Sequence, residues 1–291
     1  MYDRILVPVD ARIDDNGALA RAFEFARRFD ATIHLVHVVD IGGESRGIPE
    51  EDRSTLEGSL ESVGRKATER IAEQAHERGL ETVQGLRQGL AHRSLVDYAD
   101  EHEIDLIVMG TRARSGSDQV RLGSTTERVV LNAQAPVLAV PRPDDNELTD
   151  EEITYDTIVI ATDGSDTADR VTERALSVAA QYDATVEAMY VIDTTTYDLA
   201  DVPRSIVGLL KEGGNRAVEA IEHDGRERGV TVRTTVRRGV PEKEILTYAD
   251  EIGGDLLVMG ISGRGGAGDH YLGSTTARVL RRSSRPILTV R

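Results

Sequence analysis

The feature that most constrains this chain is that it is written twice. Shifted by 150 residues, "IDLIVMG" (Ile104–Gly110) falls on "GDLLVMG" (Gly254–Gly260), "LGSTTERVV" on "LGSTTARVL", "VDYADE" on "LTYADE", and Gly89 on Gly239. Nearer the start of each half the shift is 153, and it brings "RILVPVDARIDD" onto "TIVIATDGSDTA" and "FDATIHLVHVVD" onto "YDATVEAMYVID". The second copy has therefore lost three residues between Asp193 and Gly239. A chain of 291 residues built this way reads as two tandem domains. The first is placed at residues 1–143 and the second at 155–291, joined by an acidic linker at 144–154. Around that linker, "PRPDDNELTDEEITYD" (Pro141–Asp156) is rich in acids and proline and has little to bury.

Within each copy the order is strand, helix, strand, helix, strand, helix, strand, loop, helix, strand. The runs "RILVPV", "TIHLVHV", "LIVM" and "PVLAV" are continuously apolar, as strands covered on both faces must be. Helical-period stretches such as "NGALARAFEFARRF" separate them, so the fold class is α/β, with a parallel sheet and right-handed crossovers. Asp14 and Asp166 stand at N-cap positions ahead of the first helix of each copy. Ile41–Ser54 reads as a loop before the helix "TLEGSLESVGRKATERIAEQAHERG".

Composition removes several functions. No cysteine is present, which excludes disulfides, zinc-thiolate sites and thiol nucleophiles and fits a reducing, cytoplasmic location. The apolar runs are too short to span a membrane, and the start "MYDRILVPVD" lacks the apolar core of a secretion signal. The formal charge is −16, with lysine only at Lys66, Lys211 and Lys243, so nucleic acid is not expected as a partner. A surface so acidic and lysine-poor suits high salt, and a halophilic setting is the expectation.

Chemistry concentrates in "MGISGRGGAGDHYLGSTT" (Met259–Thr276), whose cousin is "MGTRARSGSDQVRLGSTT" (Met109–Thr126). From Gly260 the pattern runs Gly, two residues, Gly263, nine residues, Gly273, Ser274. Glycines at a strand end let backbone approach a ligand, and "GSTT" opening a helix offers N–H groups and hydroxyls to an anion. Arg264 lies inside the loop and adds a phosphate contact. In an open parallel sheet such a site belongs at the carboxyl ends of strands, where the strand order reverses. A phosphorylated ribose with its base over strands one and two fits that layout. No G-x-S-x-G elbow and no G-x-x-x-x-G-K-[ST] loop occurs, so neither a hydrolase triad nor a P-loop is supported.

On these residues both halves resemble domains of the universal stress protein family, whose nucleotide-binding members carry Gly, two residues, Gly, nine residues, Gly, then Ser or Thr. The resemblance covers nearly the whole chain. It implies two tandem Rossmann-like domains of the adenine nucleotide alpha-hydrolase-like type, each a five-stranded parallel sheet of order 3-2-1-4-5 sandwiched by helices. It further implies ATP or AMP at the ends of strands one and four. The copies would pair through their last strands as an intramolecular pseudo-dimer, with a homodimer of whole chains left open. Carried over, Ala161, Thr162 and Asp163 face adenine and ribose, and the backbone of Val191 meets the base. Met259, Gly260, Gly263 and Arg264 line ribose and phosphates, while Gly273, Ser274 and Thr275 hold the phosphate end. Pro8, Val9, Asp10, Val38, Met109, Gly110, Gly123, Ser124 and Thr125 match in the first copy. One departure is Ala113 where the second copy has Gly263. If that position needs positive φ, the alanine costs about 1–2 kcal/mol and its methyl crowds the phosphate. Two unequal sites follow, the second tighter.

Other signals are open. Asp118 and Asp269 recur in the two loops one place apart under the shift of 150, either helping to hold Mg2+ or simply solvated. His270 falls on Val120, beside Gln119, with a phosphate contact as one reading. His34 and His37 lie three apart on one strand, hence on opposite faces, which suits packing rather than metal binding. The expected function is a nucleotide-dependent regulator or sensor in stress response, acting on an unidentified protein partner, with hydrolysis slow or absent. The alternatives are an adenylating or ATP-hydrolysing enzyme of the wider group, and an interaction module that binds no nucleotide.

Overall fold

The short apolar runs of both copies form strands buried on both faces, the condition a parallel sheet between helical layers imposes. The computed structural model describes residues 1–10, 16–40, 50–111, 122–141, 153–165, 167–195, 204–263 and 272–291. In the first unit β1 (Arg4–Pro8), β2 (Thr32–Val39), β3 (Thr82–Gln88), β4 (Leu106–Gly110) and β5 (Val137–Val140) alternate with α1 (Asn16–Phe29), α2 (Glu50–Glu77), α3 (Ala91–Glu101) and α4 (Ser124–Asn132). The second unit repeats the order with β6 (Thr157–Thr162), β7 (Thr185–Asp193), β8 (Val232–Gly239), β9 (Leu256–Gly260) and β10 (Ile287–Val290). Its helices are α5 (Ala168–Tyr182), α6 (Arg204–Glu227), α7 (Pro241–Glu251) and α8 (Ser274–Arg282). The chain divides into these compact units between Ile153 and Thr154.

The strands run in the order β3-β2-β1-β4-β5 in the first unit and β8-β7-β6-β9-β10 in the second, all neighbours parallel. This is the 3-2-1-4-5 order implied by the resemblance. Direction reverses beside β1 and β6, so a crevice opens at the carboxyl ends of β1 and β4, and of β6 and β9. Parallel connections crossing right-handed then put α1 and α2 on one face and α3 and α4 on the other, and α5 to α8 likewise.

Local chemistry fixes where the strands begin. The Asp105 carboxylate accepts the N–H groups of Asp3 and Arg4 at 2.9 and 3.0 Å, pinning the start of β1. Asp255 does the same for Asp156 and Thr157 at 2.9 and 2.8 Å. Asp30 and Asp183 end α1 and α5 at φ 55°, the left-handed conformation that a short acceptor side chain tolerates, and turn the chain directly into β2 and β7. Tyr2 and Tyr155 are buried and pack edge-on against Phe29 and Tyr182, at 5.1 and 5.0 Å between ring centroids. The acidic stretch between the copies therefore ends on a core residue.

One sequence reading is corrected: α2 begins at Glu50, inside the stretch read as a loop. Thr167 precedes α5 with helical backbone and no capping side-chain bond, and Asp14 and Asp166, the expected caps, lie outside the described residues.

Candidate functional site

The crevice of the second unit is built where β6 and β9 end side by side, with Ala161 opposite Met259 in register. After β6 the chain turns sharply. Gly164 N–H is donated to Thr162 Oγ1 at 3.1 Å, Ser165 N–H to Asp163 Oδ1 at 3.0 Å, and Gly164 takes φ +67°. That turn holds the half-buried Asp163 carboxylate toward the segment 261–263 that follows β9.

There the glycines matter. A Cβ on Gly263 would lie 2.3 Å from Asp163 Oδ2, so the carboxylate rests directly on the glycine Cα. Gly263 lies outside the left-handed region, which overturns the positive-φ reading of this position. Its glycine is required by the close approach of Asp163. Gly273 also lies against the loop, less tightly: a Cβ there would meet Ile261 O at 3.3 Å and Ser262 Cα at 3.6 Å, and its N–H is donated to Ile261 O at 2.7 Å. The segment 261–263 is thus clamped against the start of α8.

Hydroxyls complete the clamp. Thr276 Oγ1 donates to Gly260 O at 2.8 Å, and Thr167 Oγ1 to Ser262 O at 3.4 Å, with Ser165 Oγ 2.9 Å from Thr167 Oγ1. A Cβ on Gly260 would come within 3.2 Å of Ser262 O and 3.6 Å of the Thr167 hydroxyl. The contacts therefore bring Asp163, Gly260, Gly263 and Gly273 into one cluster, with Ala161, Thr162 and Met259 lining its base. Ser274 is exposed and Thr275 half-buried at the mouth, while Val191 stands one strand away on β7. Arg264 lies outside the described residues, as do Ala113, Asp118, Gln119, Asp269 and His270.

Gly273 caps α8 with extended backbone and no side-chain bond. The N–H groups of Ser274, Thr275 and Thr276 precede the first intrahelical donor, the Ala277 N–H bonded to Gly273 O at 2.9 Å, so they lie at the positive pole of the helix. No acid stands in the first turn of α8.

The first unit keeps the frame: Gly123 N–H is donated to Thr111 O at 2.7 Å, and Thr126 Oγ1 to Gly110 O at 2.7 Å. Val9, Met109 and Gly123 are buried, Pro8, Val38, Gly110 and Thr125 half-buried, and Ser124 exposed. It differs in three ways. Asp10 is exposed where Asp163 is half-buried; Glu127 occupies the first turn of α4 where α8 has Ala277; and His37 Nδ1 lies 2.7 Å from Val9 O, where the second unit has Tyr190. As expected, His34 and His37 serve opposite faces, against Tyr98 of α3 and Gly64 of α2. Sequence reasoning missed Ser165, Thr167, Ser262 and Thr276. Only Thr276 left a signal, the "GSTT" shared by both copies. Among the described residues no three His, Asp or Glu side chains converge as a metal site.

A doubly wound parallel sheet with a glycine-clamped strand end and an open helix N-terminus, present twice, defines a tandem Rossmann-like α/β protein. Residues 1–141 and 154–291 each match the universal stress protein family, and the chain belongs to that family. A universal stress protein of Mycolicibacterium smegmatis is 27% identical over 300 residues, covering 99% of this chain and 96% of its own. The crystal structure of a universal stress protein from Archaeoglobus fulgidus superposes over 100% of this chain and 97% of its own, with a TM-score of 0.73 at 20% identity, a likeness of fold. Another neighbour, a universal stress protein in complex with cAMP, is 26% identical over 48% of this chain and 98% of its own, with a TM-score of 0.37. No helix among the described residues is long and apolar enough to cross a membrane.

Proposed function

We propose that the second unit binds an adenine nucleotide, ATP or AMP, and that occupancy regulates how the protein engages a partner during stress. The observation that carries this is the clamp: Asp163 held at the end of β6 against Gly263, with Gly273 and the uncapped start of α8 within the same few ångströms. In this reading Asp163 takes the ribose hydroxyls, and the N–H groups and hydroxyls of Ser274 and Thr275 take the phosphate end. Arg264 adds charge to the phosphates, Val191 meets the base, and Mg2+ accompanies a triphosphate. The chain supplies orientation and charge complementarity to the ligand. The first unit binds more weakly, because its acid is exposed, its loop carries Ala113, and Glu127 places a carboxylate in the first turn of α4.

The test is to purify the full chain, denature it, and identify released nucleotide by chromatography and mass spectrometry, in the wild type and in Gly260→Trp and Gly110→Trp. Gly260→Trp drives a bulky ring into the Ser262 carbonyl and the Thr167 hydroxyl. The expected result is recovery of adenine nucleotide that is lost in Gly260→Trp and reduced less in Gly110→Trp. A protein that carries no nucleotide, and whose melting temperature does not move in millimolar ATP or AMP, overturns the reading.

A further inference from the structure

The two units place opposite chemistry at one matched position under α3 and α7. In the second unit Glu187 of β7 is buried, accepts a hydrogen bond from the Tyr248 hydroxyl at 2.8 Å, and is paired with Arg233 at 3.2 Å. In the first unit the same positions are His34 and Tyr98, with His102 where the second has Ile252. His34 is buried, and its Nδ1 lies 2.9 Å from the Tyr98 hydroxyl. The Tyr98 ring stacks on His102 with centroids 3.8 Å apart, and the His34 and His102 rings are 5.7 Å apart.

The charged groups around this cluster are already engaged. From β1, Arg4 is paired with Glu103 at 2.9 Å and donates to the His102 carbonyl at 3.0 Å. From β3, Arg87 lies 4.7 Å over the Tyr98 ring and is paired with Glu101 at 3.0 Å. After α3, Asp105 holds the N–H groups of Asp3 and Arg4. On the other face of β2, covered by α1 and α2, His37 is bonded to Val9 O. The hydrogen-bond partner of the His34 ring among the described residues is therefore a neutral hydroxyl.

We infer that this histidine–tyrosine–histidine cluster is an acid-sensitive release built into the first unit alone, so that acidification loosens β2 and α3 while the matched elements of the second unit hold. A proton on His34 enters a buried site where, among the described residues, the ring's hydrogen-bond partner is the Tyr98 hydroxyl rather than a carboxylate, with His102 and Arg4 opposing the charge. Burial, then His102, then Arg4, hold the ring down to about 4. The unfolded ring binds its proton near the ordinary value of 6.5, so stability from this group is complete above that pH. It falls as pH drops through the window to about 4, and levels off below. At pH 5 the opening equilibrium shifts on the order of thirtyfold.

The test is hydrogen exchange on the full chain at pH 7 and pH 5, comparing wild type with His34→Gln at each pH so that intrinsic exchange rates cancel. Glutamine keeps a hydrogen-bonding group toward Tyr98 and does not titrate. The expected result is that segments 33–39 and 91–101 of the wild type lose protection relative to the variant by roughly thirtyfold at pH 5. Segments 186–193 and 241–251 should not change. Identical pH dependence in wild type and variant overturns the inference. If the variant does not fold, the wild type alone decides: equal loosening of both units on acidification overturns it, and selective loosening of the first unit supports it.

Discussion

Replacing Gly263 by alanine, the residue the first copy carries at this position, puts a methyl 2.3 Å from Asp163 Oδ2 and 3.3 Å from its Cγ. Contacts of this kind are essentially never closer than 3.0 Å, so the carboxylate must retreat by about 0.7 Å. Asp163 is a short side chain whose other oxygen accepts Ser165 N–H at 3.0 Å, and turning it disturbs that bond. A hydrogen bond to a charged group contributes about 1.5–3 kcal/mol. If Asp163 holds the ligand, nucleotide affinity should fall by about ten- to a hundredfold, at roughly 1.4 kcal/mol per factor of ten. Calorimetric titration of the full chain with ATP and with AMP measures this directly. Because the backbone of Gly263 is outside the left-handed region, the penalty resides wholly in the contact with Asp163. A double-mutant cycle isolates it: in an Asp163→Ala background, Gly263→Ala should cost less than about 0.5 kcal/mol in urea denaturation. Unchanged affinity in the single variant, or a stability penalty that persists without Asp163, refutes the reasoning.

Three further outcomes are expected. Tyr248→Phe removes the donor on the buried Glu187 carboxylate and should cost the second unit about 1–3 kcal/mol in urea denaturation. Thr276→Val deletes the 2.8 Å bond to Gly260 O; it should cost about 1 kcal/mol by the same assay and loosen the start of α8 in hydrogen exchange. For a chain of net charge −16, raising KCl from about 0.1 M to about 1 M shortens the screening length from about 10 to about 3 Å and should raise the melting temperature, whereas a flat or falling value would remove the halophilic reading.

Much of the fold was legible from the repeat and from continuous apolar runs. "LIVM" and "PVLAV" are β4 and β5 to within a residue, because only a strand buried on both faces tolerates such runs. The start of α2 was not legible, since Glu50–Asp52 are equally at home in a loop and at the positive pole of a helix. The role of Thr167 was not legible either, because its hydroxyl is bonded to the Ser262 carbonyl, 95 residues away in the chain.

By itself, the order of residues determined that there are two α/β units, that each carries glycines and "GSTT" beyond a strand, and that Ala113 and Gly263 make the copies unequal. These are local facts, set by periodicity and by what each residue type permits. Tertiary structure alone decided why Gly263 must be glycine, because the reason is a carboxylate 100 residues earlier in the chain, brought onto its Cα by the adjacency of β6 and β9. It also decided that His34 and Glu187, alike in position, meet different partners, a neutral hydroxyl for His34 and a hydroxyl with the Arg233 guanidinium for Glu187. Burial and the charge of neighbours on other strands and helices set that difference, and neither is written within a few residues of either one.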